Sequence, residues 1–153
     1  MEHDLHAEIE LPLQLDNVFE FFSKAENLQR ITPPELNFRI LTPTPISMEV
    51  GTLIDYRLQL FGLPFTWRTR ISQWDPPHAF TDEQIKGPYS LWVHRHTFES
   101  TSDGTLIRDH VRYRLPLSPL GDIALPIVKL QLRRIFTHRQ KAVQEALLQI
   151  KDK

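Results

Sequence analysis

Between residues 90 and 115 the sequence puts two histidines, an aspartate and a tyrosine where a half-buried strand pair ordinarily carries hydrocarbon. In the later strand, Leu106, Arg108, His110, Arg112 and Arg114 cannot form a buried face, so Ile107, Asp109, Val111, Tyr113 and Leu115 point inward. Asp103-Gly104 is a strong signal for a two-residue hairpin turn. With Ser102 paired to Thr105, the inward side of the preceding strand is Trp92, His94, His96 and Phe98, with His94 opposite Tyr113 and His96 opposite Val111. Asp109 then lies on a diagonal, within reach. A histidine beside a carboxylate or a phenol can move a proton to or from a carbonyl compound, which makes His94, His96, Asp109 and Tyr113 the candidate acid–base groups. Buried polar groups need partners, and two arrangements would supply them. One is a closed hydrogen-bond network over a solid core. The other is a cavity whose aromatic wall carries a few polar anchors. His94-x-His96 with Asp109 also has the composition of a two-histidine, one-carboxylate metal triad, but this spacing arises readily by chance. Neither a metal nor another cofactor is expected.

Arg139 is a second oddity. At 100° per residue it falls inside the apolar stripe of a C-terminal helix, near Leu132 and Val143. Either its guanidinium reaches water at the edge of the fold, or it enters the interior to meet Asp109, Asp82 or the carboxylate or phosphate of a ligand. The strand from Phe80 to Ile85 is ambiguous, since Phe80, Asp82 and Gln84 or Thr81, Glu83 and Ile85 could face inward.

The elements that must position these groups follow from periodicity. Leu5, Ala7, Ile9 and Leu11 alternate with His6, Glu8 and Glu10 as a half-buried strand does. Asp16 is placed to cap a short helix bearing Val18, Phe19 and Phe22, and a second short helix fits Ala25 to Arg30 before Pro33-Pro34. Leu36, Phe38 and Ile40 predict a second strand. Thr52 to Phe61 and Phe65 to Gln73 predict a hairpin around Gly62-Leu63, with Ile54, Tyr56, Leu58 and Leu60 on the face of Phe65, Trp67, Thr69 and Ile71. From about Leu120 the pattern is helical, and Val128, Leu132, Ile135, Phe136, Val143, Ala146, Leu147 and Ile150 form one stripe.

The 153 residues suit one domain, 1–153, with its own core. Hydrophobic residues at 41% and charged residues at 24% exclude wholesale disorder. A net charge of −1 with no dense basic run argues against nucleic acid as a partner. No cysteine is present, which removes disulfides, thiol nucleophiles and thiolate metal sites together. Met1-Glu2-His3-Asp4 lacks the positive start of a secretory signal, and no apolar run could span a bilayer. A cytoplasmic protein without a transmembrane segment is expected.

One strand, one or two short helices, six strands and a long helix is the order of the α+β helix-grip fold, a curved antiparallel sheet of about seven strands around a C-terminal helix. The chain resembles the START/SRPBCC superfamily, which includes polyketide cyclase/dehydrase-like and lipid-transfer proteins. The likeness rests on Asn27-Leu28 with Ile31-Thr32-Pro33-Pro34, and on Trp67, Ile71 and Trp74. It continues through Gly87-Pro88-Tyr89, Trp92, His94, His96 and Phe98, then Asp109, Tyr113 and Pro116. The resemblance implies a hollow between sheet and helix, and favours Phe80, Asp82 and Gln84 as the inward set. It implies a carrier or sensor for a small hydrophobic or amphipathic ligand, aromatic, polyketide-like or acyl. Tyr56, Trp67, Trp92 and Phe136 would be wall, and Asp82, Gln84, His94, His96, Asp109, Tyr113 and Arg139 would be polar contacts. A cyclase or dehydratase using the His, Asp and Tyr groups is the rival reading. An interaction module using the outward arginines Arg57, Arg68, Arg70, Arg95, Arg112 and Arg114 is a third.

Overall fold

Alternating apolar residues resolve into seven strands: β1 (His3–Leu11), β2 (Arg39–Ile40), β3 (Leu53–Leu60), β4 (Leu63–Asp75), β5 (Ala79–Lys86), β6 (Leu91–Thr101) and β7 (Gly104–Arg114). Among the described residues two α-helices accompany them, α1 (Leu15–Phe22) and α2 (Leu125–Lys151), with 3-10 turns at Ala25–Ile31, Pro34–Leu36 and Leu120–Ala124. The structure, a computed structural model, describes residues 1–151 and the side chains of residues 1–149. All seven strands join one antiparallel sheet in the order β1-β7-β6-β5-β4-β3-β2. Register shifts between Arg68 and Thr69 and between Ile71 and Gln73 interrupt the β4–β5 ladder, and such irregularities bend a sheet. This is the helix-grip architecture. No described helix is long and apolar enough to cross a membrane.

The 27-residue α2 buries Val128, Leu132, Phe136, Val143, Ala146 and Leu147 against the inward faces of the strands, as its stripe predicts. Ile135 is partly buried, and the side chain of Ile150 lies outside the described residues. Outward Leu130 is 67% exposed, whereas Leu148 is half-buried. The core divides in two. Trp67, Trp92, Val111, Tyr113, Leu132 and Phe136 belong to one apolar cluster, and Val18, Phe19, Phe80, Phe98, Ile107 and Leu147 to the other. Along β6 and β7 the residues between these clusters are His94, His96 and Asp109, so the polar groups form a seam.

Several expectations need correction. The turn between β3 and β4 is Phe61-Gly62, because Leu60 pairs with Leu63. Both turn residues have positive φ, 53° and 77°, the conformation that matches a two-residue loop to strand twist. The turn between β6 and β7 is Ser102-Asp103, because Thr101 pairs with Gly104. Gly104 is required there, since a Cβ on it would overlap the Leu11 carbonyl of β1. Each hairpin is thus slipped by two residues from the expected register. A slip of two preserves which face each residue takes, so the inward sets stand while the partners change. His94 is opposite Val111, His96 opposite Asp109, and Trp92 opposite Tyr113. The strand expected from Leu36 to Ile40 shrinks to Arg39–Ile40, because Pro34–Leu36 turns as 3-10 helix and Asn37 adopts a left-handed φ of 46°. Asp16 lies in the first turn of α1 rather than at its cap, which is Gln14.

Candidate functional site

β5, β6 and β7 bring four ionisable side chains to one spot on the inner face. Across the sheet, Asp82 of β5 is opposite His94, and Asp109 of β7 is opposite His96. The hydrogen bonds run along the other diagonal. His94 Nε2 lies 2.7 Å from Asp109 Oδ1, and His96 Nε2 lies 2.7 Å from Asp82 Oδ2. His96 Nδ1 is also 3.3 Å from Asp109 Oδ1. The two imidazoles stack with centroids 3.7 Å apart, and Phe80 stacks on the far side of His96 at 4.0 Å. The inward set of β5 is therefore the one containing Phe80 and Asp82.

Arg139 completes the group. It reaches inward from α2, its guanidinium carbon 5.7 Å from the Phe22 ring centroid and 5.8 Å from that of Phe136. Among the described residues it forms no salt bridge. Its one side-chain polar contact among the described residues is with His96 Nδ1, at 3.5 Å. That distance, with Nδ1 closer to Asp109, describes a charged neighbour rather than a hydrogen bond.

Environment separates the protonation states. Desolvation pulls the His94 pKa down to about 4, reinforced by the charge of His96 and only partly opposed by Asp109. His94 is a neutral imidazole near neutral pH. Desolvation also acts against a charge on His96, but its hydrogen bonds to Asp109 and Asp82 and their negative charges outweigh it and raise its pKa above the ordinary histidine value. Burial alone would raise Asp109, yet the Arg139 charge and the bonds from both histidines hold it well below the usual carboxylate range. Asp82 is lowered too, its desolvation overcome by His96, His94 and Arg139. The result is two ionised carboxylates, a guanidinium, a neutral His94 and a His96 that holds a proton more readily than an ordinary histidine.

With His94 Nε2–H donated to Asp109, the His94 Nδ1 lone pair has no hydrogen-bond partner among the described residues. His94 lines a cavity of about 120 Å³ together with Tyr56, Trp67, Asp82, Trp92, Phe136 and Arg139, and with Tyr89. Residues Leu28, Ile31, Thr32, Leu36 and Phe38 cover it. A second hollow of about 70 Å³ adjoins it, lined by Phe22, Ile54, Phe80 and His96 and sharing Leu28, Ile31 and Arg139 with the first. Trp67 and Trp92 meet edge to face at 5.4 Å, and the Trp67 indole N–H and the Tyr56 hydroxyl are both satisfied by Thr69 Oγ1. The polar atoms of Trp67 and Tyr56 are thus engaged within the wall.

Two residues expected among the polar contacts lie elsewhere. Gln84 donates to the Tyr89 carbonyl at 2.7 Å and accepts from the Tyr89 N–H at 3.1 Å, clamping the β5–β6 turn. Tyr113 pairs with Trp92, two and four positions along β7 from Val111 and Asp109, the residues opposite the histidines, and its ring packs at 5.4 Å from His3 beside a different surface depression. The register slip explains this, because Tyr113 would have faced His94 only in the expected pairing. Phe80 faces inward as the resemblance implies, whereas Tyr89 and the 28–38 cover were not anticipated as cavity lining. The Gly87-Pro88 turn signal masks Tyr89, though an aromatic residue directly after a turn is the available hint. As possible metal ligands, Asp82, His94 and His96 bring three ligand atoms within 4.8 Å of one another, with Asp82 in the place expected of Asp109.

The chain matches a family model described as polyketide cyclase / dehydrase and lipid transport over residues 11–141. No curated protein matches it. Solved structures share the fold at low identity. TTHA0849 from Thermus thermophilus is 16% identical with a TM-score of 0.77, covering 97% of this chain and 99% of that one. The Zhui aromatase/cyclase from Streptomyces sp. R1128 is 14% identical with a TM-score of 0.76, covering 96% and 94%. A norcoclaurine synthase point mutant from Thalictrum flavum, in complex with a transition-state analogue, is 16% identical with a TM-score of 0.73, covering 99% and 97%.

Proposed function

As the chain belongs to the polyketide cyclase / dehydrase and lipid transport family, we propose that it is a cytoplasmic binding protein for a small, uncharged ring compound bearing a hydroxyl and a carbonyl group. The observation that carries this reading is the pairing of unused polar atoms within one aromatic cavity. His94 Nδ1 offers a lone pair to a ligand hydroxyl, and Arg139 offers N–H donors to a ligand carbonyl. A cavity of about 120 Å³ is comparable to the engineered cavity of about 150 Å³ that takes up benzene. One ring with short substituents fits that scale.

Charge balance favours a neutral ligand over the carboxylate or phosphate that Arg139 first suggests. Asp82 and Asp109, both held ionised, already place two negative charges beside Arg139. An added anion would leave a net negative charge in a poorly solvated interior, which is costly.

Catalysis is the second reading, favoured by the His94–Asp109 dyad beside the cavity. A base whose conjugate acid has a pKa of about 4 is weak at neutral pH, which supports binding over proton abstraction. Titration of isotopically labelled protein with the isomeric hydroxyacetophenones and hydroxybenzoates tests both. The ketones should bind more tightly than the carboxylates and shift the indole signals of Trp67 and Trp92. Affinity should fall at least tenfold in His94→Leu. Tighter binding of the carboxylates would overturn the neutral-ligand reading. Exchange of ketone α-protons for solvent deuterium, lost in His94→Leu, would establish the catalytic one.

A further inference from the structure

The edge pair of the sheet, β1 with β7, carries a second histidine group on its solvent face. His6 and His110 are direct cross-strand partners, and their rings stack with centroids 4.2 Å apart and planes 9° from parallel. Asp4 is two residues from His6 on β1 and so shares its face. Its Oδ1 lies 2.7 Å from His110 Nε2. One ligand atom from each of the three residues lies within 4.8 Å of the others.

We propose that Asp4, His6 and His110 bind a borderline divalent transition-metal ion of the zinc class. Two imidazoles and a carboxylate suit that class rather than magnesium or calcium, which prefer all-oxygen sites. Zinc bonds of about 2.0–2.2 Å place neighbouring ligand atoms roughly 3.3 Å apart. The Asp4–His110 spacing of 2.7 Å is somewhat shorter, all three ligand atoms lie within 4.8 Å of one another, and exposed side chains can adjust the remainder by rotation. Asp4 and His110 side chains are 52% and 39% exposed, so the ion has access and keeps positions for water.

The surrounding charges are compatible. Asp4 is held below the usual carboxylate range, chiefly by its bond to His110. Arg112, opposite Asp4, is engaged by Glu2 at 3.6 Å, and Arg108 by Glu99 at 3.0 Å and Glu8 at 3.4 Å. Arg95, opposite His110 on β6, has no carboxylate partner among the described residues and is the cation that opposes binding. The interior group of Asp82, His94 and His96 differs on this point. There the opposing cation is in direct contact, with the Arg139 guanidinium 3.5 Å from His96 Nδ1.

Calorimetric titration of tag-free protein with zinc chloride at pH 7.5 tests the site. One ion per chain should bind. His6→Ala and His110→Ala should each weaken binding at least tenfold, with His6→Gln as a second variant should alanine disturb the strand. Arg95→Gln should tighten binding, and His94→Leu should leave it unchanged. A zinc-dependent dimer that His6→Ala abolishes would support the same three residues, with a second copy filling the open positions. The proposal is overturned if no saturable binding occurs at millimolar zinc, if binding survives His6→Ala, or if it is lost in His94→Leu.

Discussion

His94 and Asp109 are hydrogen-bonded at 2.7 Å although the residue opposite Asp109 in the sheet is His96. The matching diagonal bond from His96 to Asp82 crosses the stacked rings. Each imidazole is held by a carboxylate two strand positions away from its straight partner or on the neighbouring strand. Both rings are thereby fixed, and His94 keeps one nitrogen free toward the cavity.

The buried neutral state of His94 should make the protein acid-sensitive in a defined window. Unfolded histidine binds a proton below about pH 6.5, whereas native His94 resists until about pH 4. In between, the unfolded chain holds more protons, so stability rises with pH and falls as pH drops. The loss due to His94 amounts to about 3 kcal/mol by pH 4. His96 has a raised pKa, so its contribution is complete below pH 6.5 and is lost only as pH rises through its native value. Urea unfolding from pH 6.5 to 4 should show the decline in the wild type and a flatter profile in His94→Leu. Equal slopes would contradict the neutral assignment.

Asp109→Asn should be among the most damaging single-atom changes in the chain. It removes the carboxylate shared by His94, His96 and Arg139. Breaking one partner out of a buried charge set costs about 3–5 kcal/mol. Denaturant unfolding at pH 7 measures it, and a loss below about 1 kcal/mol, the scale of exposed ion pairs, would mean the seam is wetter than described.

Arg139→Met keeps much of the side-chain volume while deleting the donors. Binding of the hydroxyacetophenone that the wild type holds most tightly should weaken at least tenfold by calorimetry. Undiminished affinity would show that Arg139 serves only to hold Asp109 ionised.

Gly104→Ala should destabilise without touching the cavity. Its φ is 152° and its added Cβ would meet the β1 backbone at Leu11, a contact that cannot yield as a flexible side chain would. Overpacking of this kind costs about 1–3 kcal/mol. The thermal midpoint should drop, with probe affinity intact. An unchanged midpoint would place β1 further from the hairpin.

Much of this arrangement was legible in the sequence because strand faces follow parity. Trp92, His94, His96 and Phe98 turn inward whatever two-residue slip the hairpin takes, and so do Ile107, Asp109 and Val111. Partner identity was not legible for the same reason. Asp103-Gly104 reads as a turn, but whether glycine lies within the turn or after it depends on contact with β1, which is remote in sequence. That slip separated Tyr113 from the histidines. The roles of Asp82 and Arg139 required knowing that α2 lies over β5 and β6, and periodicity along single elements does not encode it. Gln84 shows the converse. It shares the inward parity of Asp82, yet a local bond to Tyr89 claims both ends of its amide.

The roof of the cavity, Leu28, Ile31, Thr32, Leu36 and Phe38, comes from the 3-10 turns at Ala25–Ile31 and Pro34–Leu36 and the residues that follow each of them. Turns of this kind hold few cooperative backbone bonds and open at lower free energy than a continuous ladder. Entry of any bound molecule from this side would therefore need only local movement of these turns, with the strand ladders intact. Residence time and global stability become separable properties, and a change in the roof could alter the first a great deal while leaving the second almost untouched.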